Sequence, residues 1–132
     1  MWGEAGRAYV YFTYGKHHML NVVTGRKGLP RAVLIRAVEP LEGIELMKQR
    51  RGLKEVRNLT NGPGKLTQAF GITLKQNKAD LTDGDLTIEK GRSKTLDVVT
   101  THRIGLSAGG DRKLRFYVKG SSFVSRNSKE GR

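Results

Sequence analysis

The sequence contains no cysteine, and this absence excludes several kinds of chemistry. Without a thiol, the chain cannot form a disulfide, use a cysteine nucleophile, or bind zinc or an iron–sulfur cluster through cysteine. Long apolar runs are also missing, since none approaches the roughly 20 residues that a membrane-spanning helix needs. The composition is compatible with a reducing compartment and excludes a helical membrane anchor within these residues.

Acidic residues are scarce: 12 aspartates and glutamates stand against 25 lysines and arginines, which gives a formal charge of +13. Like charges in such excess repel one another unless a polyanion neutralises them, and nucleic acid is the commonest polyanion. A ribosomal-type RNA-binding module and an anionic membrane surface are the alternatives. The membrane is the weaker alternative, because no amphipathic helix long enough to lie on a bilayer is present.

The strongest local pattern is the stretch AYVYFTYGKHHMLN, residues 8–21. Aromatic and β-branched residues run into Tyr14-Gly15 and an apolar run follows, which predicts a β-hairpin with a tyrosine at its tip. Alternation places Tyr9 and Tyr11 on one face of the first strand. An exposed ring at the basic tip suits stacking on a nucleobase, whereas tyrosines that only pack a core are the alternative.

Residues 31–38 read RAVLIRAV and predict a strand that is apolar almost throughout. Arg36 is the exception, because a charge within such a strand is costly unless it is paired or faces a cleft. Arg36 is therefore either a member of a structural ion pair or a site residue.

Two short helices are predicted. The first begins near Pro40, presents an apolar face that includes Leu41 and Met47, and stops at Gly52. The second begins at Pro63, with Thr60 or Asn61 as its cap, and ends before Gly71. Its start, Gly-Pro-Gly-Lys at residues 62–65, leaves backbone N–H groups open beside a lysine. This arrangement is either a phosphate site or a plain helix start.

The rest of the chain predicts short strands at residues 86–89, 96–101 and 114–118, followed by a basic, flexible tail at residues 126–132. The predicted fold class is α+β, a mixed α/β single domain with a mostly antiparallel sheet, a protruding β-hairpin and short helices. The three histidines have no metal-ligand spacing, so no metal site is predicted.

Five runs resemble one enzyme family in order and spacing: AYVYFTYGKHHMLNVV, AVLIRAVEPLEG, NLTNGPGKLTQAFGI, HRIGLS and LRFYVKGSSFVS. The family is that of alkyladenine (3-methyladenine) DNA glycosylases, and the resemblance covers residues 1–125. It implies hydrolysis of the N-glycosidic bond of alkylated or deaminated purines after base flipping, in base-excision repair. It further implies a curved antiparallel sheet, no cofactor and a monomer. The expected place of action is inside the cell, on double-stranded DNA that contains damaged purines, and this is the cytoplasm or nucleoid if the organism is a prokaryote.

The resemblance also assigns roles to residues of this sequence. Tyr14 matches the wedge that fills the gap left by a flipped nucleotide, and Tyr11 matches an aromatic wall on which that base stacks. Asn21 matches the pocket side chain that disfavours the exocyclic amine of guanine. Arg36 and the backbone carbonyl of Ile104 match groups that hold the attacking water.

Four further residues are expected to contact DNA. Gly15 and Lys16 stand beside the wedge at the hairpin tip, and Lys16 replaces the apolar residue that is common there in the family. Gly64 and Lys65 lie in the run where phosphate contact is expected.

The family's general base is a glutamate that precedes the hairpin by a few dozen residues, and no glutamate here matches it. Glu4 and Glu39 are the nearest carboxylates in sequence, but neither fits the motif. We therefore expect the chain to correspond to the C-terminal two thirds of the family's enzyme, a glycosylase domain without its N-terminal segment. The alternative is a non-catalytic module that binds DNA or RNA.

Overall fold

A computed structural model describes residues 4–13, 16–25, 31–91, 96–102 and 113–124 of the chain. It contains five strands and two α-helices: β1 (Ala8–Phe12), β2 (His18–Thr24), β3 (Arg31–Leu34), α1 (Ile44–Arg51), α2 (Pro63–Phe70), β4 (Val98–Thr101) and β5 (Arg115–Val118). Short 3-10 helices lie at Val56–Asn58 and Leu74–Gln76. All the strand pairs are antiparallel, in one sheet ordered β1-β2-β3 and a second formed by β4 and β5. The predicted α+β class is confirmed, with two sheets among the described residues instead of one.

The predicted hairpin is confirmed by the register of β1 on β2. Ala8 pairs with Val22 and Phe12 pairs with His18, and the residues between them pair in the same continuous register. Ala8 and Val10 point into a core that also contains Leu20, Ile72 and Leu81. Burial of this face fixes the register, because a slip of one residue would turn the whole apolar set toward solvent.

Both outer edges of the hairpin formed by β1 and β2 have hydrogen-bond partners. On the outer edge of β1, the amide of Val10 donates to Oδ1 of Asn77 at 2.9 Å, and the amide of Ala8 donates to the carbonyl of Ala79. On the other edge, β3 ends at Leu34, four residues earlier than predicted. Beyond that point the hydroxyl of Thr67 lies 2.8 Å from the carbonyl oxygen of His18, a hydrogen bond that supplies the acceptor with a partner.

The predicted start of α1 at Pro40 is wrong. Gly43 adopts a left-handed conformation with φ 72°, and the helix begins after it, at Ile44. Pro40 and its flanking carboxylates lie before the helix, and Leu41 is 78% exposed. Among the residues of the helix itself, Met47 alone is buried. The predicted stop is confirmed, because Gly52 has φ 67° and its amide bonds the carbonyl of Lys48.

The predicted bounds of α2 are confirmed, but its predicted cap is wrong. Gly62 occupies the N-cap position, and no side chain caps the helix. The hydroxyl of Thr60 donates instead to the carbonyl of Val38 at 2.6 Å, which binds the segment after β3 to the start of α2. Ala69 packs with Met47 and Leu59 in a second small core between the two helices.

Residues 86–89 do not form the predicted strand. Within the described parts of the chain, their one backbone bond is from the amide of Ile88 to the carbonyl of Leu81, and no strand is formed there. In the second sheet, Arg115 and Tyr117 face inward, with the guanidinium 4.4 Å from the ring centroid. The predicted tail at residues 126–132 lies outside the described residues. No helix in the described ranges is long and apolar enough to cross a membrane.

Candidate functional site

The hairpin carries a polar and aromatic face opposite the core. Tyr9 and Tyr11 share this face, as predicted, with ring centroids 5.4 Å apart and a tilt of 38° between the rings. The ring of Tyr11 lies farther toward the tip and the residue is 37% exposed. We name this surface the tyrosine face and define it by Tyr9, Tyr11, Met19, Asn21 and Leu34. The strand register places these residues on one side of the sheet, which also carries the buried Val23. It offers an accessible ring on a rigid sheet.

Asn21 lies at the centre of the tyrosine face. It pairs with Tyr9 on one side and with Leu34 on the other, so it occupies the middle strand. Its side chain is fixed, since Nδ2 donates to the carbonyl oxygen of Tyr9 at 3.3 Å and the residue is only 7% exposed. Tyr11 is its diagonal neighbour, at the roughly 7–8 Å typical of that relationship in an antiparallel pair. The register therefore places a fixed amide on the same face as the ring of Tyr11.

Arg36 follows Leu34 by two residues, just beyond the end of β3. The amide of Ile35 still bonds the carbonyl of Leu20, so the backbone is held to β2 up to this point. Ile35 packs against the core, and alternation would direct its neighbour Arg36 to the tyrosine face. Arg36 is half-buried and interacts within the chain, which offsets the cost of placing a guanidinium there.

The predicted wedge Tyr14, its neighbour Gly15, and Ile104 lie outside the described residues. The two ends of the hairpin tip are described. The amide of Thr13 donates to the carbonyl of His17 at 2.7 Å, and the amide of Lys16 donates to the carbonyl of Thr13 at 3.3 Å. These bonds join the two described ends of the turn, where Lys16 is exposed.

A groove of about 540 Å³ separates the hairpin tip from α2. Phe12, Lys16 and His17 line one wall, and Gly64, Thr67 and Gln68 line the other. The walls touch at one point, where a Cβ built on Gly64 would lie 2.8 Å from the ring atom Cγ of His17. Because such a distance is shorter than any real Cβ contact, only glycine fits at position 64 as the helix now sits.

Lys65 follows Gly64 in the first turn of α2, on the exposed surface. Its Nζ donates to Oδ1 of Asn61 at 3.2 Å, and Nδ2 of Asn61 donates to Oδ1 of Asn58 at 3.3 Å. The structure thus brings the predicted contacts Lys16, Gly64 and Lys65 to the hairpin tip and the start of α2. The predicted base-pocket residues Tyr11 and Asn21 lie together on the tyrosine face.

The contacts of Arg51 with the residues around α2 were not predicted from the sequence. Arg51 donates to the carbonyls of Leu59 and Asn58 and to Oε1 of Gln68, all within 3.1 Å. Partial burial lowers the pKa of Arg51 from its ordinary value, and the group stays charged. Arg51 therefore holds α1, the segment before α2 and α2 itself in one arrangement. The only sequence signal for this role is the Arg50-Arg51 pair before Gly52, and such a pair is typical of any helix end.

Glu4 and Glu39, the carboxylates considered for the general base, are both exposed. Asp80 is the carboxylate with a perturbed pKa among the described residues. Hydrogen bonds from the side chain and the amide of Thr82 lower that pKa. These bonds stabilise a turn next to β1. They lower the pKa of Asp80, whereas a carboxyl suited to accept a proton near neutral pH has a raised pKa.

Comparison with known proteins identifies a family for the chain. A family model described as methylpurine-DNA glycosylase matches residues 1–122. Three bacterial and archaeal relatives carry the name "Putative 3-methyladenine DNA glycosylase". That of Carboxydothermus hydrogenoformans is 52% identical over 96% of this chain and 67% of its own length. Those of Methanoculleus marisnigri and Clostridium acetobutylicum are 48% and 43% identical, over 68% and 66% of their own lengths. The chain thus spans about two thirds of these relatives.

Proposed function

Since the chain belongs to the methylpurine-DNA glycosylase family, an enzyme class that acts in DNA repair, we propose that it takes part in hydrolysing the N-glycosidic bond of damaged purines in double-stranded DNA. The family and the enzyme class predicted from the sequence are confirmed. The proposed substrates are alkylated or deaminated purines, namely 3-methyladenine, 7-methylguanine and hypoxanthine. They react after the nucleotide has been flipped out of the duplex, as a base within the stack is inaccessible.

The tyrosine face carries this proposal. A flipped purine stacks on Tyr11, and the ring attracts an alkylated, electron-poor base more strongly than a normal one. Asn21 stands beside it with its amide fixed to the backbone of Tyr9. A fixed side chain cannot move away from the exocyclic amine of guanine, so normal guanine is disfavoured.

DNA is held at the hairpin tip and at the start of α2. Tyr14 enters the minor groove and stacks in the gap that the flipped nucleotide leaves, which offsets part of the unstacking cost. Gly15, Lys16, Gly64 and Lys65 contact the backbone of the duplex. In α2 the open amides of the first turn and the ammonium of Lys65 both favour phosphate.

Arg36 and the carbonyl of Ile104 hold the water that attacks C1′ of the damaged nucleotide. The C1′–N bond breaks, the purine leaves, and an abasic site is produced. A general base has to take the proton from this water. We assign that role to no residue of this chain, because neither Glu4 nor Glu39 matches the family's glutamate.

The second candidate function is a basic DNA- or RNA-binding module without catalysis. The charge of +13 and the DNA-contacting residues serve both candidates equally. The two candidate functions differ in base release, which only the glycosylase performs.

Single-turnover assays on a duplex with one hypoxanthine, 3-methyladenine or 7-methylguanine test the two candidates. For a glycosylase we expect free purine and an alkali-labile abasic site, with loss of both in Tyr11→Ala and Arg36→Gln. Salt-dependent binding of the duplex without release would favour the binding module. Failure to bind DNA would contradict the glycosylase, and failure to bind either DNA or RNA would contradict both candidates.

A further inference from the structure

We infer that Asn61 is a positioning residue that orients Lys65 toward a DNA phosphate. The inference rests on the proposed function, because it assigns Lys65 a phosphate contact. Asn61 itself is half-buried and stands one residue before the N-cap Gly62 of α2. It touches no DNA in this account and acts through the lysine.

The direction of the two hydrogen bonds follows from the chemistry of their ends. An ammonium can only donate, so Asn61 must present Oδ1 to Nζ of Lys65, at 3.2 Å. The amide nitrogen of Asn61 then faces Asn58, whose Oδ1 accepts at 3.3 Å. The hydrogen bonds are therefore donated in one direction, from Lys65 to Asn61 and from Asn61 to Asn58.

Both ends of this series of hydrogen bonds are anchored. The backbone carbonyl of Asn58 accepts from Nη2 of Arg51 at 3.1 Å, which holds the segment before α2 against α1. Close to α2, Gly62 has no side chain, and a Cβ there would lie 3.3 Å from Cδ of Lys65. The stem of the lysine therefore runs closely past the backbone of Gly62, back toward Asn61 and the open end of the helix.

Orientation of a lysine matters because its four-carbon stem has many rotamers. Ordering such a side chain on binding costs about 1.5–2 kcal/mol of conformational entropy, part of which is saved when it is already held. One bond to Asn61 leaves two N–H donors of the ammonium for phosphate oxygens. Asn61 thus reduces the freedom of Lys65 without using up its charge.

The salt dependence of DNA binding tests this inference, because its slope counts the phosphate contacts. We expect Lys65→Ala to weaken binding and lower the slope by about 1. Asn61→Ala should lower the slope as well, by up to the same amount, and should have no further effect in the Lys65→Ala background. Asn58→Ala, which removes the amide partner of Asn61, should give an intermediate result. Lys48→Ala is the matched control, since it removes a lysine that pairs with Glu45 on α1.

The melting temperature of each variant separates positioning from a structural role. A lower slope in Asn61→Ala at an unchanged melting temperature supports positioning, since a structural role would lower the melting temperature. Asn61→Ala with an unchanged slope, or with an additional loss in the Lys65→Ala background, would overturn the inference, whatever its melting temperature. If Lys65→Ala itself leaves the slope unchanged, the phosphate contact in the proposed function fails instead. The two failures are therefore distinguishable.

Discussion

The side-chain nitrogen of Asn21 donates a hydrogen bond to the backbone carbonyl of Tyr9, its direct partner across the hairpin, at 3.3 Å. This bond fixes the amide beside the partly exposed ring of Tyr11. Because the acceptor belongs to the backbone, the position of the amide does not depend on the rotamer of any neighbour. The hairpin thus holds a stacking surface and a polar side chain in one fixed relationship.

Removing the amide of Asn21 should relax selection against guanine. In Asn21→Ala we expect the preference for hypoxanthine over guanine at the same position to fall, because nothing then opposes the exocyclic amine. Competition binding with two duplexes that differ only in that base measures the effect. Asn77→Ala is the control, since this asparagine binds the outer edge of β1, away from the tyrosine face. An unchanged preference would show that discrimination resides elsewhere.

Loss of the tip ring should weaken binding of lesion-containing DNA. For Tyr14→Ala we expect a loss of about 1–3 kcal/mol, the range for one stacked base. Fluorescence anisotropy with a labelled duplex measures it. Phe116→Ala removes an aromatic ring that is 62% exposed on β5, and it should leave affinity unchanged. Equal losses in the two variants would argue against a wedge at residue 14.

The close approach of Gly64 to His17 predicts a rescue experiment. Gly64→Ala places a methyl group 2.8 Å from the imidazole, so hairpin and helix must separate or the ring must move. We expect a loss of about 1–3 kcal/mol in stability, the usual cost of overpacking, together with weaker DNA binding. His17→Ala in the same chain should recover much of both. If the double variant is no better than Gly64→Ala alone, the contact is not the cause.

Arg51 predicts an effect on stability that is distinct from DNA binding. Lysine cannot reproduce three hydrogen bonds from one planar group, so Arg51→Lys should lower the free energy of unfolding by about 1.5–3 kcal/mol. Urea denaturation measures this change. Arg57→Lys, at an exposed pair 3.8 Å from Glu55, should change stability by less than about 1 kcal/mol. Similar free energies of unfolding for the two variants in urea would contradict the bridging role of Arg51.

The features that sequence predicted well are those set by local rules. The alternating pattern of the hairpin determined its faces, and Pro63 and Gly71 determined the bounds of α2. The start of α1 could not be predicted in the same way. Pro40 and its carboxylates satisfy the rules for a helix start, but the left-handed Gly43 moves the start to Ile44.

The contacts that assemble the site were beyond sequence reasoning, because they join residues distant in the chain. Thr67 meets the carbonyl of His18 across 49 positions, and Arg51 meets Gln68 across 17. Neither pair has a spacing that reveals it. The resemblance to a family supplied the roles of Tyr11, Asn21 and Arg36, which composition and periodicity alone leave open.

The central claim is that the tyrosine face accepts a damaged purine flipped from duplex DNA. The most direct measurement is the affinity of the chain for two duplexes of identical sequence, one with a single hypoxanthine and one undamaged, at one salt concentration. We expect tighter binding of the damaged duplex by the wild type, and equal, still salt-dependent binding of both duplexes by Tyr11→Ala. Equal affinity of the wild type for both duplexes, or a preference that survives Tyr11→Ala, would contradict it.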